Sequence, residues 1–266
     1  MKIETQLRDG LVLNWALPKD VLPVLPSTLS YQLHAEDGQD RVFVSAVLFH
    51  HERLHWPALP LVRFSWPQMN VRICVLDEEG VPALLIRRVL LPAWAYPGAR
   101  LFAGPPVAAA RLDFPRPSTR LEEGEWLWRA VRGRRFAVSA KPASPQIGAG
   151  PQLGSWERTV RYVHDRPRGY TLYPDGLRRM DVRHPPVAVW PVKAEVRESD
   201  LLAACFGLAP SALPPLHSSW LVPEVRFSFE LALTPRLVVP QRVPHPAAGR
   251  TALRGRHAAS PPRLAA

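Results

Sequence analysis

A chain of 266 residues with 47% apolar content and nine Trp can build a sizeable core, which excludes a disordered protein. The formal net charge of +11 invites a nucleic-acid reading, but five arginines fall in residues 241–266 and leave +6 for the body. Thirty Arg against four Lys is a bias spread along the chain rather than a clustered face, so nucleic acid is not expected as a partner.

The N-terminal "MKIETQLRDG" lacks the apolar segment of a signal peptide, and a cytoplasmic location is expected. "LPKDVLPVL" follows with a short helix that starts at Pro18 and ends before Pro23. "RVFVSAVLF" (41–49) and "NVRICVL" (70–76) alternate as strands, with Val71, Ile73 and Val75 on one face and Asn70, Arg72 and Cys74 on the other. "PALLIRRVLL" comes next, cut by Arg87 and Arg88. No apolar run reaches the roughly 18 residues a membrane helix needs, and no membrane partner is expected. "PVAAARLDF", "EWLWRAVR" and "RRFAVSAK" are further strands, and "YTLY" with "LRRMDVRH" forms a hairpin across Pro174-Asp175-Gly176. Ser155 and Ser199 open two short helices as N-caps, and "PVAVWPVKAEV" and "EVRFSFELAL" close the strand series. The fold class is therefore mainly β with a few short helices, a curved antiparallel sheet closing on itself as a barrel. It is expected to span residues 1–239 as one domain, followed by a basic, disordered Pro/Ala/Arg-rich tail at 240–266.

Local signatures of chemistry are sparse. There is no Gly-x-Ser-x-Gly, no P-loop and no Gly-x-Gly-x-x-Gly, and "LEEGE" reads as a solvated turn. Neighbouring His50 and His51 point to opposite faces of a strand, so with His55 they read as surface or rim residues, and no metal is expected. Cys74 and Cys205, far apart and without a Cys-x-x-Cys, read as reduced structural thiols. Asn70 and Arg72 share one side of an apolar strand, which must be solvent, a paired network or a cavity wall.

The order of "NWALPKDVLPVLP", "RVFVSAVLF", "NVRICV", "ARLFAGPPVAAARL", "WERTVRYV", "DVRHPPVAVWPVKAEV" and "PPLHSSWLVPEVRF" resembles the YqjF-like family of uncharacterised bacterial proteins over roughly residues 10–240. That family in turn is similar to the acetoacetate decarboxylase superfamily, which implies a cone-like β-barrel around an apolar cavity. In those decarboxylases the segment matching "LFAGPPVAAARL" carries a Gly-x-Pro-Lys-Lys type motif whose first lysine forms a Schiff base. This chain has Pro105 and Pro106 there, then Val107 and Ala108. Of its only lysines, strand parity turns Lys141 and Lys193 to water, and Lys2 and Lys19 lie where a neutral amine gains no desolvation. YqjF-like proteins tend to carry an acidic residue two positions before the Asn of the "NVR" strand, where this chain has Gln68.

The expected function is binding of a small apolar or carboxylate-bearing molecule in a barrel cavity, with no cofactor and no Schiff-base decarboxylation, and with a binding protein favoured over an enzyme. Gln68, Asn70, Arg72, Pro105, Pro106 and His184 are the expected ligand-binding residues. Two alternatives stand beside it: a protein-interaction module whose cavity is filled by side chains, and an Arg-rich nucleic-acid binder. The sequence allows a homo-oligomer.

Overall fold

The first seventeen-residue strand sets the architecture. In the computed structural model, which describes residues 1–36, 38–103, 106–117, 124–145 and 153–231, β1 (Lys2–Pro18) pairs with β4 (Gln39–His55) on one side and with the last strand, β14 (Ser218–Leu231), on the other. From β4 the pairing runs through β5 (Phe64–Asp77), β6 (Pro82–Leu91), β11 (Arg168–Tyr173) and β12 (Gly176–Arg183) to β14, so seven strands close a circuit. The short β2 (Leu29–Tyr31), β3 (Leu33–Glu36) and β7 (Val107–Ala109) pair with β5, β4 and β6. A second layer, β8 (Arg111–Asp113), β9 (Trp126–Arg132), β10 (Arg134–Pro142) and β13 (Trp190–Glu198), joins β14 through Trp190 and Pro191.

The sheet is mixed, which corrects the expectation of a wholly antiparallel one: β6 pairs in parallel with both β11 and β7. Parallel neighbours need a crossover connection, and residues 92–167 supply one by passing through the second layer before returning as β11. The otherwise antiparallel, strongly curved and mainly β architecture is as expected.

Burial on both faces explains the long apolar runs. One face of β1, β4 and β5, carrying Leu13, Trp15, Val44, Leu48, Val71 and Ile73, packs against Trp128, Phe136 and Val138 of the second layer. The opposite face turns inward to the barrel. On that side α2 (Trp156–His164) packs, its Val163 clustering with Phe43, Cys74 and Trp220. Ser155 caps that helix, its Oγ accepting the Arg158 N–H at 3.2 Å. Helix α3 (Asp200–Phe206) packs on the large core and ends at Gly207 with φ of 75°, a left-handed conformation that favours glycine. Ser199 stands at its N-cap position but makes no capping bond.

Residues 96–103 form a helix, α1 (Tyr96–Ala103), that the sequence did not signal, while "LPKDVLPVL" yields only a single tight turn at Lys19–Val21. Pro23 and Pro26 remove the donors a longer helix would need. No helix among the described residues is long and apolar enough to cross a membrane. Residues 240–266 lie outside the described residues.

Candidate functional site

The inward face of the barrel does not close on itself. It encloses a cavity of about 420 Å³, within the range of small-molecule sites. The residues that reach it follow strand parity with interruptions. In β1 they are Ile3 and Leu7, then Gly10 and Val12; in β4 they are Val47, Phe49 and His51, then Leu54. Each change of parity falls at a break in strand register, where Asp9 (φ 55°) and Arg53 (φ 53°) adopt left-handed backbone conformations. Strand β5 keeps one parity throughout its wall, Phe64, Trp66, Gln68, Asn70 and Arg72.

These β5 side chains form a polar ladder descending from an aromatic rim. Trp66 Nε1 donates to Gln68 Oε1 (3.1 Å), and Gln68 Nε2 donates to Asn70 Oδ1 (2.8 Å). With its oxygen engaged, Asn70 presents its amide nitrogen to the cavity. Below it Arg72 is withdrawn from bulk water, and its Nε and Nη2 have no hydrogen-bond partner. Burial pushes its guanidinium down to about 10, which leaves it charged at neutral pH.

The floor is built by the end of α2 and the segment after it. His164 Nε2 accepts from Trp220 Nε1 at 2.8 Å, so its neutral ring carries the proton on Nδ1. Burial, with Arg72 and His184 adding to it, pushes His164 down to about 3. Arg166 is 2% exposed, donates to Gln32 Oε1 and to the Tyr162 carbonyl at the helix end, and lies over the Tyr162 ring with its guanidinium carbon 4.8 Å from the centroid. On the opposite wall Arg178 stacks on Tyr173 at 3.9 Å, and Arg179 pairs with Asp181. No Asp or Glu lines the cavity among the described residues, whereas four arginines do.

The expected residues come together for the most part. Gln68, Asn70, Arg72, Pro106 and His184 all line this one cavity; Pro105 lies outside the described residues. Pro106 also accepts the Val89 N–H (2.8 Å) just before β7 begins. His184 stacks on Phe227, ring centroids 5.5 Å apart, at the cavity's edge. Cys74, on the Asn70–Arg72 side of β5, is buried beneath α2.

His51 is a correction. It was expected at the surface or rim and instead is 6% exposed, lines the cavity and hydrogen-bonds Thr5 Oγ1 through Nδ1 (3.0 Å), while burial pushes it down to about 3. His50 is also buried, on the other face, against Phe114 and Pro115. The strand continues to His55, six residues beyond Phe49, the last apolar residue of the alternating run, so both positions stay inside the sheet. His164, Arg166 and Arg178 were missed, because nothing local in the sequence signals that a helix end and a hairpin meet β5.

All four lysines are exposed, and none lines the cavity, so the cavity holds no side-chain amine. Among the described residues no group of three or more His, Cys, Asp or Glu side chains could hold a metal ion.

Solved structures share this fold at low sequence identity. The enduracididine biosynthesis enzyme MppR, in its complex with the condensation product of pyruvate and imidazole 4-carboxaldehyde, aligns over 87% of this chain and 89% of its own, with a TM-score of 0.59 and 16% identity. The same enzyme complexed with pyruvate aligns over 87% and 90%, with a TM-score of 0.58 and 16% identity. An acetoacetate decarboxylase-like enzyme from Sphingomonas wittichii RW1 aligns over 86% and 89%, with a TM-score of 0.49 and 14% identity. No curated protein matches the sequence. Residues 4–223 match DUF2071, a family described as an uncharacterized conserved protein, and the chain belongs to that family.

Proposed function

We propose that the barrel cavity binds a small organic anion with an apolar body, a monocarboxylate being the simplest such molecule. One observation carries this reading: Arg72 is a charged, solvent-withdrawn guanidinium with two unpartnered nitrogens, in a lining that holds no carboxylate among the described residues. An uncompensated buried charge is costly, and an anion seated in the cavity beside the guanidinium offsets that cost through a charge-assisted interaction. The Asn70 amide nitrogen stands two residues up the same strand face as a second donor. Above them Phe49, Trp66, Val89, Leu91 and Val225 supply apolar wall for the rest of the molecule.

That MppR of the same fold has been seen with pyruvate, a small carboxylate, supports this class of ligand. The interaction-module alternative called for a cavity filled by side chains and a large exposed apolar patch, and the open volume speaks against the first of these. The absence of a cavity lysine leaves no group for Schiff-base chemistry, so the reading is one of binding without a covalent intermediate. The protein would act in the cytoplasm, in keeping with the unbonded Cys74 and Cys205.

The test is calorimetric titration with short branched and aromatic monocarboxylic acids and with their primary amides. The acids should bind at least about tenfold more tightly than the amides, and Arg72→Met should abolish that preference. Equal affinity for acid and amide in the wild-type protein would overturn the reading.

A further inference from the structure

The connection between β4 and β5 leaves an apolar surface that the fold does not use. Trp56 to Arg63 turn through two tight bends, and Leu61 at the tip is 93% exposed. Leu59, Val62 and Phe64 are exposed with it, and so is Trp94, 63% exposed, from the segment before α1. Ring contacts tie these into one rim: Phe64 lies 6.3 Å from Trp66, and Trp66 lies 5.9 Å from Trp94. Phe64, Trp66 and Trp94 also line the cavity, so the exposed apolar tip is continuous with the cavity wall.

Beside the tip runs a basic groove. Arg53, Arg63, Arg183 and Arg226 line it together with His55 and the edge residues His184 and Phe227. Its one carboxylate, Glu4, pairs with Lys2 at 2.7 Å and stands 3.8 Å from His55, and Arg183 approaches Glu230 at 3.9 Å. Arg53, Arg63 and Arg226 have no acidic partner among the described residues.

We infer that this side of the barrel docks on an anionic phospholipid surface, with the Leu61–Val62 tip in the acyl boundary and the groove arginines on headgroup phosphates. Charge decides the occupant. A second copy of the chain set tip to tip would bring unpaired arginines together, whereas an anionic bilayer satisfies both the apolar residues and the cations. Such a contact is peripheral. The expectation of no membrane partner rested on the lack of a spanning segment, which docking of this kind does not require. The geometry also gives the surface a use, because an amphiphile leaving the bilayer at the tip meets the Phe64–Trp66–Trp94 rim before it meets water.

The experiment is co-sedimentation of the full chain with phosphatidylcholine vesicles, with and without phosphatidylglycerol. The protein should pellet with the anionic vesicles and be released by salt. Arg63→Gln and Arg226→Gln should each weaken binding by roughly fivefold. Leu61→Ser with Val62→Ser should weaken it by at least about tenfold, at residues too exposed for the change to unfold the protein. Three results would overturn the inference: no binding to anionic vesicles; equal binding by the tip variant, which would place the contact elsewhere, as on the arginine-rich residues 241–266; or a dimer that the tip variant dissolves, which would make the occupant a second copy.

Discussion

Arg72 and the buried histidines carry opposite protonation logic. Burial lowers all of them, but Arg72 starts so high that it stays charged, while His51 and His164 become neutral over the whole physiological range. His217, pushed down to about 4 by burial and by neighbouring His34, behaves like the other two. The unfolded chain binds a proton at each of these histidines near 6.5, whereas the folded chain does not until pH 3–4. Their contribution to stability is therefore complete above about pH 6.5 and falls as pH drops below it, by roughly 1.4 kcal/mol per pH unit for each group. Urea midpoints should fall between about pH 7 and about pH 5, and His51→Gln with His164→Gln should flatten that slope. Identical midpoints in the wild type would contradict the buried, neutral state of these rings. Arg72→Met should leave the ligand-free protein as stable or more so, because it removes a buried charge with two unpartnered nitrogens, while ligand binding is lost. At this scale the sequence was informative where polarity broke an apolar pattern: Asn70 and Arg72 stood out on β5 for that reason, Gln68 through the family resemblance, and all three reach the cavity. His164 ends an amphipathic helix in which polar residues are ordinary, and Arg166 lies just beyond it, so nothing marked them.

Strands were legible from alternation, and alternation failed where the backbone is irregular. β4 and β5 were visible as regular runs of β-branched and aromatic residues. β1 was not, because the left-handed Asp9 shifts its inward set from Ile3 and Leu7 to Gly10 and Val12, erasing a single period of two. The parallel placement of β11 was equally hidden, since it depends on contacts with residues far away in sequence. One such contact fixes the end of β11. Asp77 accepts the Val81 and Glu79 N–H groups (2.9 and 3.0 Å) and the Tyr170 hydroxyl (3.0 Å), and it pairs with Arg168. Burial raises this carboxyl, but the hydrogen bonds from Arg168, Val81, Tyr170 and Glu79 together outweigh it and hold the group below its ordinary value. Arg168 keeps a second, more exposed partner in Glu79 (2.7 Å), so Asp77→Asn should cost about 1.5 kcal/mol in denaturant unfolding, from the charge-assisted hydrogen bonds that converge on the Asp77 carboxylate. A loss no larger than that of an exposed pair, about 0.5 kcal/mol, would show that β11 is held by its strand pairing alone.

The whole molecule places its two halves to different ends. One face of the central strands meets the second layer in the large apolar core, and the other encloses the cavity, so stability and binding use opposite sides of the same sheet. The mainly β class and the family were legible because many short apolar runs recur in a fixed order, and order survives where residue identity does not. The openness of the cavity was not legible, because it depends on the volume left after every inward side chain is placed. The central claim is that this space takes an apolar anion against Arg72. The most direct measurement compares native and denaturing mass spectra of the protein and of Arg72→Met, each purified from cells without added ligand. The account predicts a stoichiometric acidic small molecule that leaves the wild-type protein on unfolding and is missing from the variant. A wild-type protein that emerges empty and also binds no monocarboxylate, or a bound mass retained equally by Arg72→Met, would contradict it.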